Sequence, residues 1–227
     1  SRQTLLVIAP HQDDETIGCG GLIAKVKEAG GKVYVLAITL GNSPQYGANS
    51  DTETRKKEFE KAMTVLQVDG HGIAFIDDKY HLMLDTIPQK ELINCIESKS
   101  EVSLNNVKPS MVALPFPSYM QDHKAVFHAG LAACRPRPRQ DKHLVDTVLV
   151  YRQPDDSWST DSFIPSFLVD ISNQLSKKME ALSCYSSQIH PEPHARSVEN
   201  IKRICCINGT LVGAKSAEAF MCLRHVI

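Results

Sequence analysis

The chain has 227 residues, 42% of them hydrophobic, with 25 basic against 26 acidic side chains. This near-zero net charge argues against nucleic acid or an anionic membrane as partner, and no apolar run reaches the ~18 to 20 residues of a membrane span. The length suits one domain, which we predict to cover residues 1–227. Seven dispersed cysteines without a C-x-x-C pair are typical of reduced thiols, so we expect a cytoplasmic protein.

Apolar runs alternate with helical patterns along much of the chain. Residues 5–9 are wholly apolar, which is typical of a strand buried on both faces. After a helix that follows this strand, further strands are predicted at residues 33–39, 73–76, 111–114, 147–151 and 167–171, with helices at residues 51–67, 90–99, 122–134, 172–182 and 197–207. This alternation predicts an α/β fold, a mostly parallel Rossmann-like sheet with helices on both faces. The small and polar residues 41–50 are predicted to be a loop and a candidate lid.

Two short polar motifs carry the candidate chemistry. The first is His-Gln-Asp-Asp-Glu at residues 11–15, directly after the first strand, and the second is Gln-Asp-His at residues 121–123, soon after the fourth. Ligands of parallel α/β sheets bind beyond the carboxyl ends of the strands, so we expect the active site at that edge. A histidine beside carboxylates at this point indicates either a metal site or an acid/base site.

The residue types in these motifs suit zinc. Imidazole and carboxylate are zinc ligands, and a catalytic zinc keeps three protein ligands with an open position for water. Because alternate side chains diverge in an extended turn, two members of the first motif could face a metal while Asp13 faces its open position as a base. Taken singly, His11 could instead be a turn histidine, and the acids could simply favour a helix N-terminus.

The two motifs also carry a family resemblance. Pro-His-Gln-Asp-Asp-Glu, together with Gln-Asp-His-Lys-Ala-Val, resembles the LmbE/PIG-L family of zinc-dependent N-acetylglucosaminyl de-N-acetylases. The likeness extends through Lys177 and the tail segments Tyr-Ser-Ser-Gln, His-Ala-Arg-Ser and Ala-Glu-Ala-Phe at residues 185–188, 194–197 and 217–220. The resemblance implies that His11, Asp14 and His123 hold Zn²⁺ and that Asp13 is the general base for a water molecule that the metal activates.

Further site residues follow from the same resemblance, with one departure. Arg55 is expected to orient acids or substrate oxygens, and Asp122 to be a partner of a metal-binding histidine. The family usually has a histidine where this chain has Met120, and a thioether can neither protonate an amine nor stabilise an oxyanion. Such help is commonly worth ~10²- to 10⁴-fold in rate. We hypothesise that His194, or failing that His190, takes this role from the tail.

We therefore expect a zinc-dependent hydrolase that removes acetyl from the N-acetylamino group of an amino sugar in a small glycoconjugate, releasing acetate and a free amine. The alternatives are a deacetylase of an aminoglycoside or glycopeptide antibiotic intermediate, and a catalytically impaired member that binds zinc and a sugar. The expected partner is a small N-acetylated amino sugar or glycoconjugate, and a homo-oligomer is left open. The histidines without a motif partner are predicted to be structural or on the surface: His71, His81, His128, His143 and His225.

Overall fold

The computed structural model describes residues 3–45 and 48–227. Its strands are β1 (Thr4–Ala9), β2 (Lys32–Leu40), β3 (Ser43–Gln45), β4 (Ala48–Ser50), β5 (Gly70–Ile76), β6 (Met111–Pro115), β7 (Thr147–Tyr151), β8 (Phe167–Asp170) and β9 (Ala217–His225). Seven of these strands form one sheet in the order β5-β2-β1-β6-β7-β9-β8, while β3 and β4 pair as a separate hairpin. The sheet therefore joins strands from both ends of the chain.

The winding of the sheet reverses between β1 and β6. Strand β1 pairs in parallel with β2 on one side and with β6 on the other, with Leu5 opposite both Val33 and Met111. Strands β5 and β7 continue the parallel pairing outward. Such a switch point leaves a crevice beyond the carboxyl ends of the two central strands. Because the two polar motifs follow β1 and β6, the topology brings them to the same crevice.

Helices cover both faces of this sheet. They are α1 (Asp14–Glu28), α2 (Thr52–Val65), α3 (Gln89–Asn94), α4 (Leu104–Val107), α5 (Gln121–Ala133), α6 (Leu175–Leu182) and α7 (Val198–Thr210). Alternate strand residues point to opposite faces, so Val7 of β1 joins a core with residues of α1, α2, α6 and α7, whereas Ile8 joins a second core with residues of α3, α4 and α5. The prediction of a mostly parallel α/β sheet with helices on both faces is confirmed.

Two parts of the chain differ from the prediction. Strand β9 is absent from it and lies antiparallel between β7 and β8; its partners are distant in sequence, so local pattern could not identify it. The segment 41–50, predicted to be a loop, contains the β3–β4 hairpin, with Ser43 opposite Ser50. Residues 46 and 47 of this segment lie outside the described residues. Its role as a lid stays a prediction.

A buried ion pair between Lys178 of α6 and Glu218 of β9, here called the clamp, contacts the middle of helix α1. Lys178 donates to Glu218 at 2.6 Å and to the carbonyl oxygen of Ile17 at 2.7 Å. The two carboxylate oxygens of Glu218 accept the backbone N–H groups of Gly21 and Leu22, each at 2.7 Å. Both charged side chains are almost wholly buried. The clamp therefore ties α6 and β9 to the middle of α1.

Lys178 of the clamp directly follows Lys177, the lysine that belongs to the family resemblance. Lys177 is exposed and pairs with Glu180 along the same helix. The glycines of α1 allow the close approach of its neighbours, because a Cβ at Gly21 would lie 2.6 Å from Cγ2 of Ile171. A side chain at that position would push α1 away from the tail.

Within residues 3–45 and 48–227, no helix has the length and apolar character needed to cross a membrane. The cytoplasmic location, the single domain and the oligomeric state stay predictions.

We expect Lys178→Met to lower the free energy of unfolding of the metal-free protein by about 3 to 5 kcal/mol, because it leaves the buried charge of Glu218 without its partner. Urea denaturation followed by circular dichroism measures this change. The matched control is Lys177→Met, which should change stability by less than about 0.5 kcal/mol because its ion pair is exposed. Equal midpoints for the two variants would contradict the role given to the buried pair.

Candidate active site

The turn after β1 holds Asp13 in an unusual backbone conformation. Its φ is 93° and its ψ is −32°, a region that residues other than glycine rarely adopt. One oxygen of Glu15 accepts the backbone N–H of Asp13 at 3.1 Å, and the other accepts the hydroxyl of Tyr185 at 2.5 Å. Burial raises the pKa of Glu15 to about 7. Tyr185 from the tail thus supports the carboxylate that fixes this turn.

Three side chains of the two motifs converge at the crevice. Nδ1 of His11 and Nε2 of His123 lie 3.4 Å and 3.3 Å from Oδ2 of Asp14. The three candidate ligand atoms are all within 4.8 Å of one another, and the three residues are buried. A tetrahedral site with metal–ligand bonds of about 2.0–2.1 Å has edges of about 3.3–3.4 Å. The two separations that involve Asp14 therefore match the edges of a tetrahedral metal site, which would leave a fourth position for water or substrate.

The hydrogen bonds around these side chains leave ligand atoms free. Neither ring nitrogen of His123 makes a well-aligned hydrogen bond within the part of the chain that the structure describes, although both are buried. Nε2 of His11 pairs with Oδ2 of Asp122 at 2.8 Å, and Oδ1 of Asp122 accepts the N–H of Leu84 at 2.9 Å. A proton on Nε2 of His11 leaves the lone pair of Nδ1 toward Asp14. These residues fit a divalent cation.

The same contacts control the charge of the metal-free site. Burial alone would lower the pKa of His11, but its hydrogen bonds to Asp122 and Asp14 outweigh burial and raise this pKa to about 9. Two carboxylates thus share a positively charged imidazole when no cation is bound. Asp122 contacts His11, a candidate metal ligand, and its role as the partner of a metal-binding histidine stays a prediction.

Asp13 lies beside this cluster with one oxygen free. Its Oδ2 accepts from Nη1 of Arg196 at 3.3 Å, whereas Oδ1 is buried and has no hydrogen-bond partner among the described residues. Burial raises the pKa of Asp13 to about 6, although the positive charge of Arg196 opposes this rise. A buried, free carboxylate oxygen next to a candidate metal site can accept a proton.

Arg55 reaches the site from α2 and is held there by a second histidine. Its Nη1 donates to the carbonyl oxygen of Gly41 at 2.9 Å and to Nε2 of His81 at 2.8 Å. The ring of His81 packs edge-on against that of His11, with centroids 5.3 Å apart. Burial, together with the nearby His11 and Arg55, lowers the pKa of His81 to about 3, so its imidazole is neutral and can accept from Arg55.

Sequence reasoning missed two residues of this site. His81 was predicted to be structural or on the surface, and it is a buried part of the site. Arg196 belongs to the His-Ala-Arg-Ser segment that contributed to the family resemblance, yet no role was predicted for it. Its guanidinium also lies 3.3 Å from Oδ1 of Asp14. Because Asp14 and Arg196 are 182 residues apart, only the resemblance of the segment could have drawn attention to it.

Met120 and the histidines predicted to take over the missing role, His194 and His190, lie on different elements. Met120 is half-buried, precedes the first residue of α5, and its backbone N–H faces the hydroxyl of Ser118 at 3.4 Å. Nδ1 of His194 accepts the backbone N–H of Arg196 at 3.0 Å, and its ring contacts that of His190 at a tilt of 42°, with centroids 4.2 Å apart. The recruitment of His194 or His190 to catalysis stays a prediction.

Known proteins resemble this chain in sequence. Residues 6–134 match the profile of a family described as PIG-L: GlcNAc-PI de-N-acetylase. The uncharacterized deacetylase YaiS of Escherichia coli (strain K12) is 29% identical over 189 residues, 82% of this chain and 92% of YaiS. The probable N-acetyl-alpha-D-glucosaminyl L-malate deacetylase 2 of Bacillus cereus is 25% identical over 193 residues, 81% of this chain and 83% of that protein.

Solved structures share the fold. The conserved protein TT1542 from Thermus thermophilus has a TM-score of 0.77 and 26% identity, covering 99% of this chain and 96% of TT1542. GalB, the 4-carboxy-2-hydroxymuconate hydratase from Pseudomonas putida KT2440, also has a TM-score of 0.77, with 18% identity, covering 99% of this chain and 98% of GalB. At that identity the likeness to GalB shows the fold alone.

We expect the protein to bind one divalent cation per chain and His123→Ala to lower its affinity for Zn²⁺ by more than about 100-fold, since one of three ligands is lost. Asp122→Asn should lower it by about 10- to 100-fold, because the partner that orients His11 is weakened. Competition with a chromogenic chelator measures both affinities.

His128→Ala is the matched control for this metal titration. His128 is exposed on the same helix, and its ring bonds the carbonyl oxygen of Lys124 one turn earlier. Its removal should leave the affinity for Zn²⁺ unchanged. Wild-type affinity in His123→Ala would contradict the proposed ligand set.

Proposed function

Because this chain belongs to the PIG-L family, we propose that it is a zinc-dependent hydrolase that removes acetyl from the N-acetylamino group of an amino sugar in a small glycoconjugate. The products are acetate and a free amine. The observation that carries the proposal is the buried cluster of His11, Asp14 and His123, whose candidate ligand atoms lie within 4.8 Å of one another, with the free carboxylate oxygen of Asp13 beside it. The substrate class is supported by the family description and by the relative that bears the name of a glucosaminyl malate deacetylase.

His11, Asp14 and His123 would hold the zinc ion. Two imidazole nitrogens and one carboxylate oxygen are a donor set that zinc favours, and three protein ligands leave a position for water or substrate. When bound, zinc supplies Lewis-acid polarisation of the acyl oxygen and lowers the pKa of water. The hydrogen bond from His11 to Asp122 would keep the ligand nitrogen of His11 directed at the ion.

Asp13 would move the proton in this reaction. The oxygen of a water molecule forms a bond to the acyl carbon while Oδ1 of Asp13 takes the proton of that water, and the carbonyl electron pair moves onto the acyl oxygen. The carbon–nitrogen bond then breaks, and the same proton passes to the departing amine nitrogen. General acid–base help of this kind is commonly worth about 10²- to 10⁴-fold. The backbone of Asp13, which Glu15 and Tyr185 hold, would fix the carboxylate in place.

Arg55 would position the oxygens around the reacting group. Its guanidinium is held by His81 and by the carbonyl oxygen of Gly41, so it is ordered before substrate binds. Among the carboxylates, Asp13 and Asp14 act most strongly on its charge. An ordered positive charge of this kind orients acids or substrate hydroxyls without a reorganisation cost at the moment of reaction.

We expect the zinc-loaded protein to release acetate from N-acetylglucosamine or from N-acetylglucosaminyl L-malate, and a chelator to abolish that release. Asp13→Asn should lower kcat by at least about 100-fold because the proton acceptor is lost. An enzyme-coupled acetate assay measures the rate, and metal content is determined on the same samples. An N-acetylated aminoglycoside in the same assay tests the antibiotic alternative.

The matched control for this assay is Asp141→Asn, an exposed aspartate in the loop before β7. It should keep the wild-type rate. Sugar binding by the zinc-loaded wild type with no acetate release over hours would contradict the hydrolase and favour a protein that only binds zinc and sugar.

A further inference from the structure

With Met120 at this position, the proposed amide hydrolase lacks one hydrogen-bond donor for the acyl oxygen. As the carbon–oxygen bond forms, negative charge collects on the acyl oxygen, and a donor aimed at that oxygen stabilises it. The thioether of Met120 has no hydrogen to donate. Position 120 directly precedes α5, which carries His123 three residues later. A protein donor that acts on this oxygen together with zinc would therefore come from another element that reaches the same side of the crevice.

Arg196 is the cation that reaches this place from the loop before α7. It lies 3.3 Å from Oδ2 of Asp13 and 3.3 Å from Oδ1 of Asp14, on the side of the turn after β1. Its charge also interacts with Tyr119 and Asp155, and the hydroxyl of Tyr119 donates to Asp155 at 3.3 Å. Because Tyr119 is the residue before Met120, the charge of Arg196 acts on residues at both strand ends at which the candidate chemistry lies.

One donor of Arg196 has no acceptor among the residues that the structure describes. Its Nη1 and Nη2 contact the two aspartates, whereas Nε is buried and lacks a hydrogen-bond partner within residues 3–45 and 48–227. A buried N–H of a charged group without an acceptor is costly, so such groups in folded proteins are paired with protein, water or ligand. The free N–H of a guanidinium beside Asp13 has the chemistry to bind an oxygen that gains negative charge.

Hydrogen bonds hold the loop that carries Arg196 in place. The backbone N–H of Arg196 donates to Nδ1 of His194 at 3.0 Å, and Nδ2 of Asn200 donates to the carbonyl oxygen of Ala195 at 2.7 Å. The next residue, Ser197, caps α7 by accepting the N–H of Asn200. His194 therefore contacts the backbone of Arg196, so its own conformation can affect the site through that contact.

We propose that Arg196 is a further catalytic residue, whose Nε–H stabilises the acyl oxygen in place of the histidine that the family usually has at position 120. The inference rests on the proposed hydrolase function. Arginine stays charged throughout the reaction, so it acts as a donor only, and the proton for the departing amine comes from Asp13. His194 is then a positioning residue that holds the backbone of Arg196.

The experiment compares Arg196→Met and Arg196→Lys with the zinc-loaded wild type. Arg196→Met should lower kcat about 10²- to 10³-fold with KM within about threefold, and Arg196→Lys should lose less. Calorimetry should show the same weakening for a tetrahedral anion, the methylphosphonyl analogue of N-acetylglucosamine, and little change for glucosamine. Arg203→Met is the matched control, an exposed arginine on α7 that pairs with Glu192, and it should keep wild-type values.

The second part of the experiment introduces a histidine at position 120. Met120→His should raise kcat at least about 10-fold in the Arg196→Met background and less in the wild type, because the two donors serve one oxygen. A rise in KM without a fall in kcat would overturn the proposal, since Arg196 would then bind a substrate hydroxyl. Loss of zinc affinity in both Arg196 variants would also overturn it. So would a fall in kcat in His194→Ala that Met120→His restores and no other substitution restores. Absence of acetate release by the wild type would instead refute the hydrolase, while binding of the tetrahedral anion still reports on Arg196.

Discussion

The site depends on the buried carboxylate of Asp14. One of its oxygens accepts the backbone N–H of His11 at 3.0 Å and approaches the imidazoles of His11 and His123, while the other lies 3.3 Å from Arg196. Burial alone would raise the pKa of this carboxyl, yet His123 and His11 hold it well below its usual range. An unpaired charge at this depth would be costly. The turn after β1 and helices α1 and α5 are therefore held together with the loop before α7.

The C-terminal part of the chain braces this arrangement. Its polar contacts with the N-terminal half include Lys178 with the carbonyl oxygen of Ile17, Tyr185 with Glu15, Ser187 with Glu58, Arg196 with Asp13, and Glu218 with the backbone of Gly21 and Leu22. Each contact provides a partner for a polar group that is buried or nearly so, and such groups are costly when unpaired. The precision of the site thus depends on residues that are not candidate metal ligands.

The architecture and the chemistry are set at different levels. A parallel sheet whose winding reverses between β1 and β6 decides where a ligand can bind, because the loops part at that point. The reaction depends on which side chains stand there, since one fold can carry unrelated activities. Met120 illustrates the difference: it directly precedes α5, and the family resemblance predicts that its thioether lacks a chemical function that a histidine would supply there.

The sequence by itself determined the central strands and the places of the two polar motifs that follow them. The apolar run that becomes β1 is a local pattern, and parallel pairing follows from the alternation of strands and helices. The assignment of His11, Asp14 and His123 as metal ligands is what the family resemblance implies. Only the tertiary structure decided the position of β9, the burial of His81 beside His11, and the contact of Arg196 with Asp13. Those features join residues up to 183 positions apart. They depend on how strands order themselves and how buried charges find partners, and no local pattern in the chain records either.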